Sequence, residues 1–418
     1  FIRGLVREQR QTIGNFWVDV TRAVLWVLLP LSILGGIFLL WQGVPMNFNA
    51  YTEVTTLEGN PQIIAQGPVA ALETIKNLGT NGGGFFNVNG AHPYENPTPL
   101  TNILEMWMIA VLPASLTYTF GRMAKNAGQG WVLFVVMTLL FTAGLVAHAW
   151  AEQEGNPAIT TLGVDTTANS LQSGGSMEGK EVRFGIHGTT IAAITTSNGA
   201  TGSYNAMHDS FTPIGGMVPL INMLLGELIY GGLGTGMYSM LVMVLISVFV
   251  GGLMIGRTPE YLGKQVTIAQ MKLIGLYIII GVATILIFTA IAVVTDTGKA
   301  SLVTNQGAHG FTEIFYAYTT SVANNGQNFA GLNGNTVFYN VTTAIAMLIG
   351  RFVLATLALA LAGYFVEQRR KFVSSGTLST TSLTFAILLI MVILIVGALS
   401  YLPALALGPI IEHLLMTG

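Results

Sequence analysis

The sequence predicts an all-α polytopic membrane protein, and three features carry that prediction. Charged residues make up only 9% of the 418 residues, far below the roughly 25% that is usual in soluble proteins. The apolar residues lie in blocks of about 20, the length with which an α-helix crosses a bilayer. The third feature is a pattern of eight residues that occurs three times.

The three copies of this pattern organise the chain. They are IKNLGTNG at 75–82, TTSNGATG at 195–202 and TTSVANNG at 319–326, and we call them repeats 1, 2 and 3. Each runs from a half-apolar segment through small polar residues to a glycine, and a long apolar segment follows. The final glycines are 120 and 124 residues apart, and a period of that length indicates a duplicated structural unit.

The chain begins with a basic, amphipathic segment at 1–22, which is typical of a helix at a membrane surface. Seven spans follow at 23–43, 102–121, 131–150, 215–256, 273–294, 336–366 and 382–402. The block at 215–256 is too long for one span and too short for two with a loop. Four glycines in its middle, Gly231, Gly232, Gly234 and Gly236, favour a helix that is broken at mid-depth.

The positive charges orient the spans. Of 17 Lys and Arg residues, 12 lie in the segments 1–22, 122–125, 257–272 and 369–371. Because positive charge stays on the cytoplasmic side, we expect a cytoplasmic amino end, an outer carboxyl end and three repeats on the outer side. Ser374 is then cytoplasmic, and Ser170 and Lys180 lie in an outer loop that has no part in ion selection.

Each repeat then belongs to a unit made of a span, a short pore-directed helix, the repeat and a second span. The predicted divisions are a lead-in, three units and an extra carboxyl-terminal helix, at 1–22, 23–125, 126–272, 273–371 and 372–418. A short helix that ends inside the membrane directs the negative end of its dipole at the centre. Small residues and glycine after it allow backbone carbonyls to replace the hydration shell of a monovalent cation.

Two other interpretations of the repeats are less favourable. Ordinary turns between spans would explain any single copy, but three copies at matching places favour a shared function. A phosphate-binding loop needs Gly-Lys followed by Ser or Thr, whereas the Gly-Lys pairs here precede Glu181, Gln265 and Ala300. His187 and His309 stand at the heads of two pore-directed segments, where helix capping is favoured over metal binding.

Four longer motifs resemble a known family. They are GTNGGGFFN at 79–87, MHDSF at 207–211, GRTPEYLGK at 256–264 and FAGLN at 329–333. Together they are similar to the potassium-binding subunit of the bacterial Kdp potassium-transporting ATPase, and the likeness extends from about Arg3 to the end. It implies a channel-like subunit with four pore units around a pseudo-fourfold axis. Only three units are present here, so we expect the first unit and the family's first helix to precede Phe1.

The resemblance also implies the residues of a potassium site. The implied selectivity filter consists of the last three residues of each repeat: Thr80, Asn81, Gly82, Ala200, Thr201, Gly202, Asn324, Asn325 and Gly326. It implies a gating loop at 231–236 as well, and it matches Glu227 and Arg351 to the family's intramembrane charges. Such charges are costly and are functional by default. A purely structural Glu227–Arg351 pair that steadies the broken helix remains the alternative.

The predicted function is that of the potassium-binding and translocating subunit of an ATP-driven importer in the bacterial inner membrane. We expect no ATP site and no catalytic residues in the chain, so a partner must hydrolyse ATP. The resemblance implies that this partner is a P-type catalytic subunit and that two small subunits belong to the same complex. Potassium is the transported ion, and no nucleic acid is involved. One alternative is a self-sufficient passive potassium channel or symporter of the same superfamily. The other is a membrane scaffold in which the glycines only pack helices.

Overall fold

The computed structural model describes residues 1–371 and 378–418, so the predicted cytoplasmic Ser374 lies outside the described residues. Helices dominate this part of the chain. They are α1 Ile2–Val6, α2 Phe16–Ala23, α3 Leu29–Trp41, α4 Val69–Leu78, α5 Pro99–Met123, α6 Ala127–Glu154, α7 Pro157–Thr161, α8 Gly185–Gly199, α9 Pro213–Leu224, α10 Thr235–Met254, α11 Ile268–Val294, α12 Asp296–Lys299, α13 Gly307–Ala323, α14 Val337–Leu348, α15 Leu354–Glu367, α16 Leu383–Leu405 and α17 Ile411–Thr417.

Seven helical segments in the described residues are long and apolar enough to cross a membrane. They are α2–α3, α5, α6 with α7, α10, α11, α14–α15 and α16–α17. Single π-helical turns at Val24–Leu28, Ile349–Val353 and Ala406–Ile410 join the paired helices. The prediction of an all-α polytopic membrane protein is confirmed, with two short antiparallel hairpins added, β1 Thr52–Thr55 with β2 Pro61–Ile64 and β3 Glu260–Tyr261 with β4 Lys264–Gln265.

The first span begins earlier than the predicted residue 23. Asn15 accepts a hydrogen bond from the backbone of Val18, a cap that starts α2 at Phe16. The preceding α1 packs on α15, where Leu5 is fully buried. Lys264 donates to the carbonyl oxygen of Gly4 at 2.9 Å and anchors this amino-terminal segment to the GRTPEYLGK motif.

The fourth span is broken, as the glycines indicated, but the break lies slightly earlier than predicted. It covers residues 225–234, between α9 and α10, and Gly236 is the second residue of α10 instead of part of the loop. Three residues of the break, Gly226, Glu227 and Tyr230, have φ values of 82°, 52° and 51°. A left-handed residue cannot continue a right-handed helix, so the helix ends at this point.

Each repeat follows a short helix that stands between spans. α4 packs against α3 and α5, α8 packs against α5, α6 and α9, and α13 packs against α9, α11 and α14. Repeat 1 begins inside α4, repeat 2 inside α8 and repeat 3 inside α13. Each short helix therefore leads directly into the carboxyl-terminal residues of its repeat, which are buried in repeat 2 and exposed at Gly82 and Gly326.

Candidate functional site

The three short helices end with the same backbone conformation. The sixth residue of each repeat is left-handed, with φ of 50° at Thr80, 57° at Ala200 and 57° at Asn324. Ala200 and Asn324 are the C-caps of their helices, and Thr80 directly follows the C-cap Gly79. None of the three left-handed residues is glycine, although left-handed backbone costs other residues roughly 1–2 kcal/mol. A costly conformation that recurs at three equivalent positions indicates a shared local structure.

The next residue of each repeat folds back on its helix. In every copy its N–H donates to the carbonyl oxygen five residues earlier, namely Asn81 to Lys76 at 3.0 Å, Thr201 to Thr196 at 3.4 Å and Asn325 to Thr320 at 3.0 Å. This hydrogen bond ends the helix and fixes the direction in which the chain continues into the following glycine.

Two different constraints, left-handed backbone and close approach, require glycine at the ends of the three repeats. Gly202 and Gly326 are left-handed, with φ of 89° and 91°. In repeat 1 the left-handed glycine is Gly83, one residue later, with φ of 97°. A Cβ on Gly82 would instead lie 2.8 Å from the carbonyl oxygen of Thr201, so close approach is what demands glycine there.

The final glycines of the three repeats meet at one place. The close contact of Gly82 with Thr201 joins repeats 1 and 2. The N–H of Gly202 donates to Oδ1 of Asn325 at 3.2 Å, and a Cβ on Gly326 would lie 3.7 Å from Cα of Gly202. The structure thus brings together segments separated by more than 240 residues of sequence, from 82 to 326.

Asn325 ties repeat 3 to its surroundings. Its side chain is 2% exposed, and its Nδ2 lies 3.0 Å and 3.1 Å from the carbonyl oxygens of Thr196 and Ser197. The same amide group donates to Oε1 of Glu227 at 2.7 Å. A residue predicted as a filter position therefore also links the second repeat's helix to the broken helix.

The break in the fourth span lies against the repeats. The N–H of Leu233 donates to Oγ1 of Thr80 at 2.8 Å. A Cβ on Gly231 would lie 2.9 Å from the carbonyl oxygen of Asn198, and one on Gly232 would lie 3.5 Å from Cβ of Ala200. Gly234 is left-handed at 97°, with no heavy atom within 4 Å of an added Cβ, whereas a Cβ on Gly236 would lie 2.7 Å from the carbonyl oxygen of Gly231.

Glu227 and Arg351 line the same cavity, which has a volume of about 120 Å³ and also borders Asn324, Thr235 and Tyr238. Arg351 lies on the π-helical turn of the sixth span. The two side chains do not form an ion pair, because the carboxyl group of Glu227 bonds to Asn325 instead. A direct Glu227–Arg351 pair is therefore not what steadies the broken helix in this structure.

The family model for the potassium-transporting ATPase A subunit, KdpA, matches residues 1–414. The chain belongs to the KdpA family. The resemblance inferred from the four sequence motifs is confirmed.

Curated relatives of this KdpA chain carry one name, "Potassium-transporting ATPase potassium-binding subunit". A relative from Solibacter usitatus is 51% identical over 416 residues, and one from Rhodospirillum centenum is 52% identical over 417 residues. In both comparisons the match covers 100% of this chain and 72% of the relative. These names do not support a passive channel or symporter.

The KdpA chain contains a bridging residue that was not predicted from the sequence. Oδ1 of Asn89 accepts from the N–H of Gly83, and its Nδ2 donates to the carbonyl oxygen of Ser203 at 2.7 Å. Asn89 therefore links the residues that directly follow repeats 1 and 2. Its position, seven residues after Gly82 in an Asn- and Gly-rich loop, was the only signal available.

A buried carboxyl cluster behind repeat 1 was also not predicted. Glu73 of α4 accepts from Lys76 at 2.5 Å. The hydroxyl of Tyr204, with its single hydrogen, lies 2.9 Å from Oε1 of Glu73 and also within hydrogen-bond distance of Oε2 of Glu105. Glu95 lies nearby, fully buried, and its Oε1 accepts from the N–H of Phe86 at 3.0 Å. Burial, with the nearby charge of Glu73, raises the pKa of Glu95.

Lys180, which the sequence analysis assigned to an outer loop, forms a buried ion pair. Its Nζ lies 2.6 Å from Oε2 of Glu152, and both side chains are fully buried. Oε1 of the same carboxylate accepts from the N–H and the hydroxyl of Thr212, at 2.9 Å and 2.8 Å. This ion pair joins the end of α6, the loop at 155–184 and the start of α9.

Proposed function

We propose that this chain binds potassium at the meeting point of the three repeats and translocates it as part of an ATP-driven importer. The observation that carries the proposal is the convergence of Gly82, Gly202 and Gly326, each delivered by a short helix that ends in the same left-handed turn. The name that the relatives carry supports potassium as the ion.

In this proposal the backbone carbonyls of the last three residues of each repeat coordinate the ion. These residues are Thr80, Asn81, Gly82, Ala200, Thr201, Gly202, Asn324, Asn325 and Gly326. Carbonyl oxygens replace the hydration shell of a permeating monovalent cation, and the three helix carboxyl ends add a favourable dipole. The units surround three quarters of a pseudo-fourfold pore that opens to the outer face of the bacterial inner membrane.

Below this site, we assign the gate to the break at 225–234 and to Arg351. The hydrogen bond from Leu233 to Thr80, which joins the break to repeat 1, supports this assignment. A fixed positive charge repels a potassium ion, most strongly where the surroundings screen poorly. The ion then leaves sideways, towards a P-type catalytic subunit that hydrolyses ATP, and two small subunits complete the complex. The amino end of the chain is cytoplasmic and the carboxyl end is outside.

Substitutions of the three glycines test the potassium site. Gly202→Ser and Gly326→Ser impose left-handed backbone on serine, a cost of roughly 1–2 kcal/mol. If the backbone turns to relieve that strain, potassium affinity falls about 5- to 30-fold. Gly82→Ser acts by crowding, because its Cβ would lie 2.7 Å from Oδ1 of Asn89. Potassium affinity, and competition by sodium and rubidium, are measured on the assembled complex.

Gly59→Ser is the matched control for backbone strain. Gly59 is left-handed at 83° and lies between β1 and β2, and a Cβ added there would have no heavy atom within 4 Å. We expect wild-type affinity and selectivity in this variant. Wild-type potassium binding in all three repeat variants would refute the proposed filter.

A further inference from the structure

Three ligand-type side chains converge at the amino end of α13, far along the helix from repeat 3. They are Asp209, from the short 3-10 helix His208–Ser210, and His309 and Glu313, from the first two turns of α13. One ligand atom from each lies within 4.8 Å of the other two. Nε2 of His309 is 3.0 Å from Oδ1 of Asp209 and 4.0 Å from Oε1 of Glu313.

These spacings suit a small metal ion. Zinc binds imidazole nitrogen and carboxylate oxygen at about 2.0–2.2 Å. Two ligands in tetrahedral positions at that distance lie about 3.3 Å apart, which falls between the two spacings from His309. Asp209 and His309 are 14% and 19% exposed, so an ion has access to them from solvent.

A fourth carboxylate orients the histidine. Oε1 of Glu412, on α17, is 2.6 Å from Nδ1 of His309. A carboxylate on one ring nitrogen leaves the other nitrogen to face the metal, as in the carboxylate–histidine–metal arrangement of known zinc sites. This contact brings the carboxyl-terminal helix α17 to the head of α13.

The buried carboxylate of Glu313 provides independent evidence for a cation site. Glu313 is 1% exposed, and its Oε2 has no hydrogen-bond partner among the described residues. Its Oε1 accepts from Nδ2 of Asn305 at 2.9 Å. A Cβ on Gly331 would lie 2.0 Å from that Oε1, so glycine leaves room for the carboxylate. A buried carboxylate oxygen without a partner costs free energy, and a bound cation would remove that cost.

We propose that Asp209, His309 and Glu313 bind one divalent transition-metal ion of the zinc class, with Glu412 as the positioning residue. The bound ion would join the loop before α9 to the head of α13, and α17 would be linked to it through the contact of Glu412 with His309. This site is distinct from the potassium site and does not depend on the proposed function.

The test uses zinc as the probe and the assembled complex as the sample. The complex is treated with a chelator, dialysed and titrated with Zn²⁺, while bound zinc and the unfolding temperature are measured. We expect one site per chain, lost in His309→Gln and Glu313→Gln, and a rise in unfolding temperature on binding. Glu412→Gln should weaken binding about 10- to 100-fold, since it removes only the orienting carboxylate.

His413→Gln is the matched control, because His413 neighbours Glu412 on α17 but makes no hydrogen bond to the cluster within the described residues. It should bind zinc like the wild type. If His309→Gln fails to assemble, Glu412→Gln decides the matter, because Glu412 is 23% exposed and its replacement keeps its size. If the wild-type protein binds no zinc, the cluster is only an imidazolium paired with two carboxylates, and the proposal is overturned. Equal zinc binding by the wild type and Glu412→Gln overturns it as well.

Discussion

Replacement of Asn325 tests whether side-chain hydrogen bonds hold the repeats in register. The amide nitrogen has two hydrogens for three nearby acceptors, the carbonyl oxygens of Thr196 and Ser197 and the carboxyl group of Glu227. Its Oδ1 accepts one further bond, from Gly202. Asn325→Ala therefore removes two donated bonds and one accepted bond.

The expected magnitude follows from these three bonds. Each contributes about 1 kcal/mol net, so the arranged state of repeats 2 and 3 loses about 3 kcal/mol. A loss of about 3 kcal/mol changes an equilibrium by about 100-fold. If only the arranged state binds potassium, the apparent dissociation constant rises by up to about 100-fold.

The assay is potassium affinity of the assembled complex, together with its unfolding temperature in detergent. Asn325→Asp retains the side-chain volume but lacks the two amide hydrogens, so we expect it to be impaired as well. Asn328→Ala is the control, because Asn328 is exposed three residues later and its side chain makes no hydrogen bond to the described residues. Unchanged potassium affinity in both Asn325 variants would show that this hydrogen-bond network does not set the geometry of the site.

Four further predictions concern the gate, the topology, the Lys180–Glu152 ion pair and the carboxyl group of Glu95. Arg351→Ala should open a potassium leak into liposomes without ATP, and a variant that leaks no more than the wild type would contradict the assignment of the gate to Arg351. Ser170→Cys should react with an impermeant thiol reagent only from outside and Ser379→Cys only from the cytoplasm; the opposite pattern would reverse the topology. Lys180→Ala should destabilise the protein by about 3–5 kcal/mol, because it leaves a buried carboxylate unpaired, and an unchanged unfolding temperature would disprove that. The raised pKa of Glu95 means that the folded state binds its proton more tightly than the unfolded state does. This group's contribution to stability is therefore fully present below pH 4.5 and is lost as the pH rises from there through the raised pKa. Glu95→Gln should reduce that pH dependence of the unfolding temperature, and an unaltered dependence would exclude Glu95 as its source.

The sequence alone determined the class of this protein and most of its linear organisation. Hydropathy over about 20 residues depends only on local composition, so the seven spans at 16–41 through 383–417 were predictable with errors at their ends. The broken fourth span was predictable too, because clustered glycines disfavour helix wherever they occur. The repeats were visible because duplication leaves a pattern in the sequence itself.

Contacts between distant segments were decided only by the tertiary structure. The partner of Glu227 is Asn325, 98 residues away, although charge alone favoured Arg351. The partner of Lys180 is Glu152, and the two side chains form a buried ion pair that the loop position of Lys180 did not indicate. Such pairings depend on how helices pack and on left-handed residues that redirect the chain. Neither hydropathy nor residue type specifies which of several polar groups will meet, because the desolvation and hydrogen-bonding energies that choose among them arise only after packing.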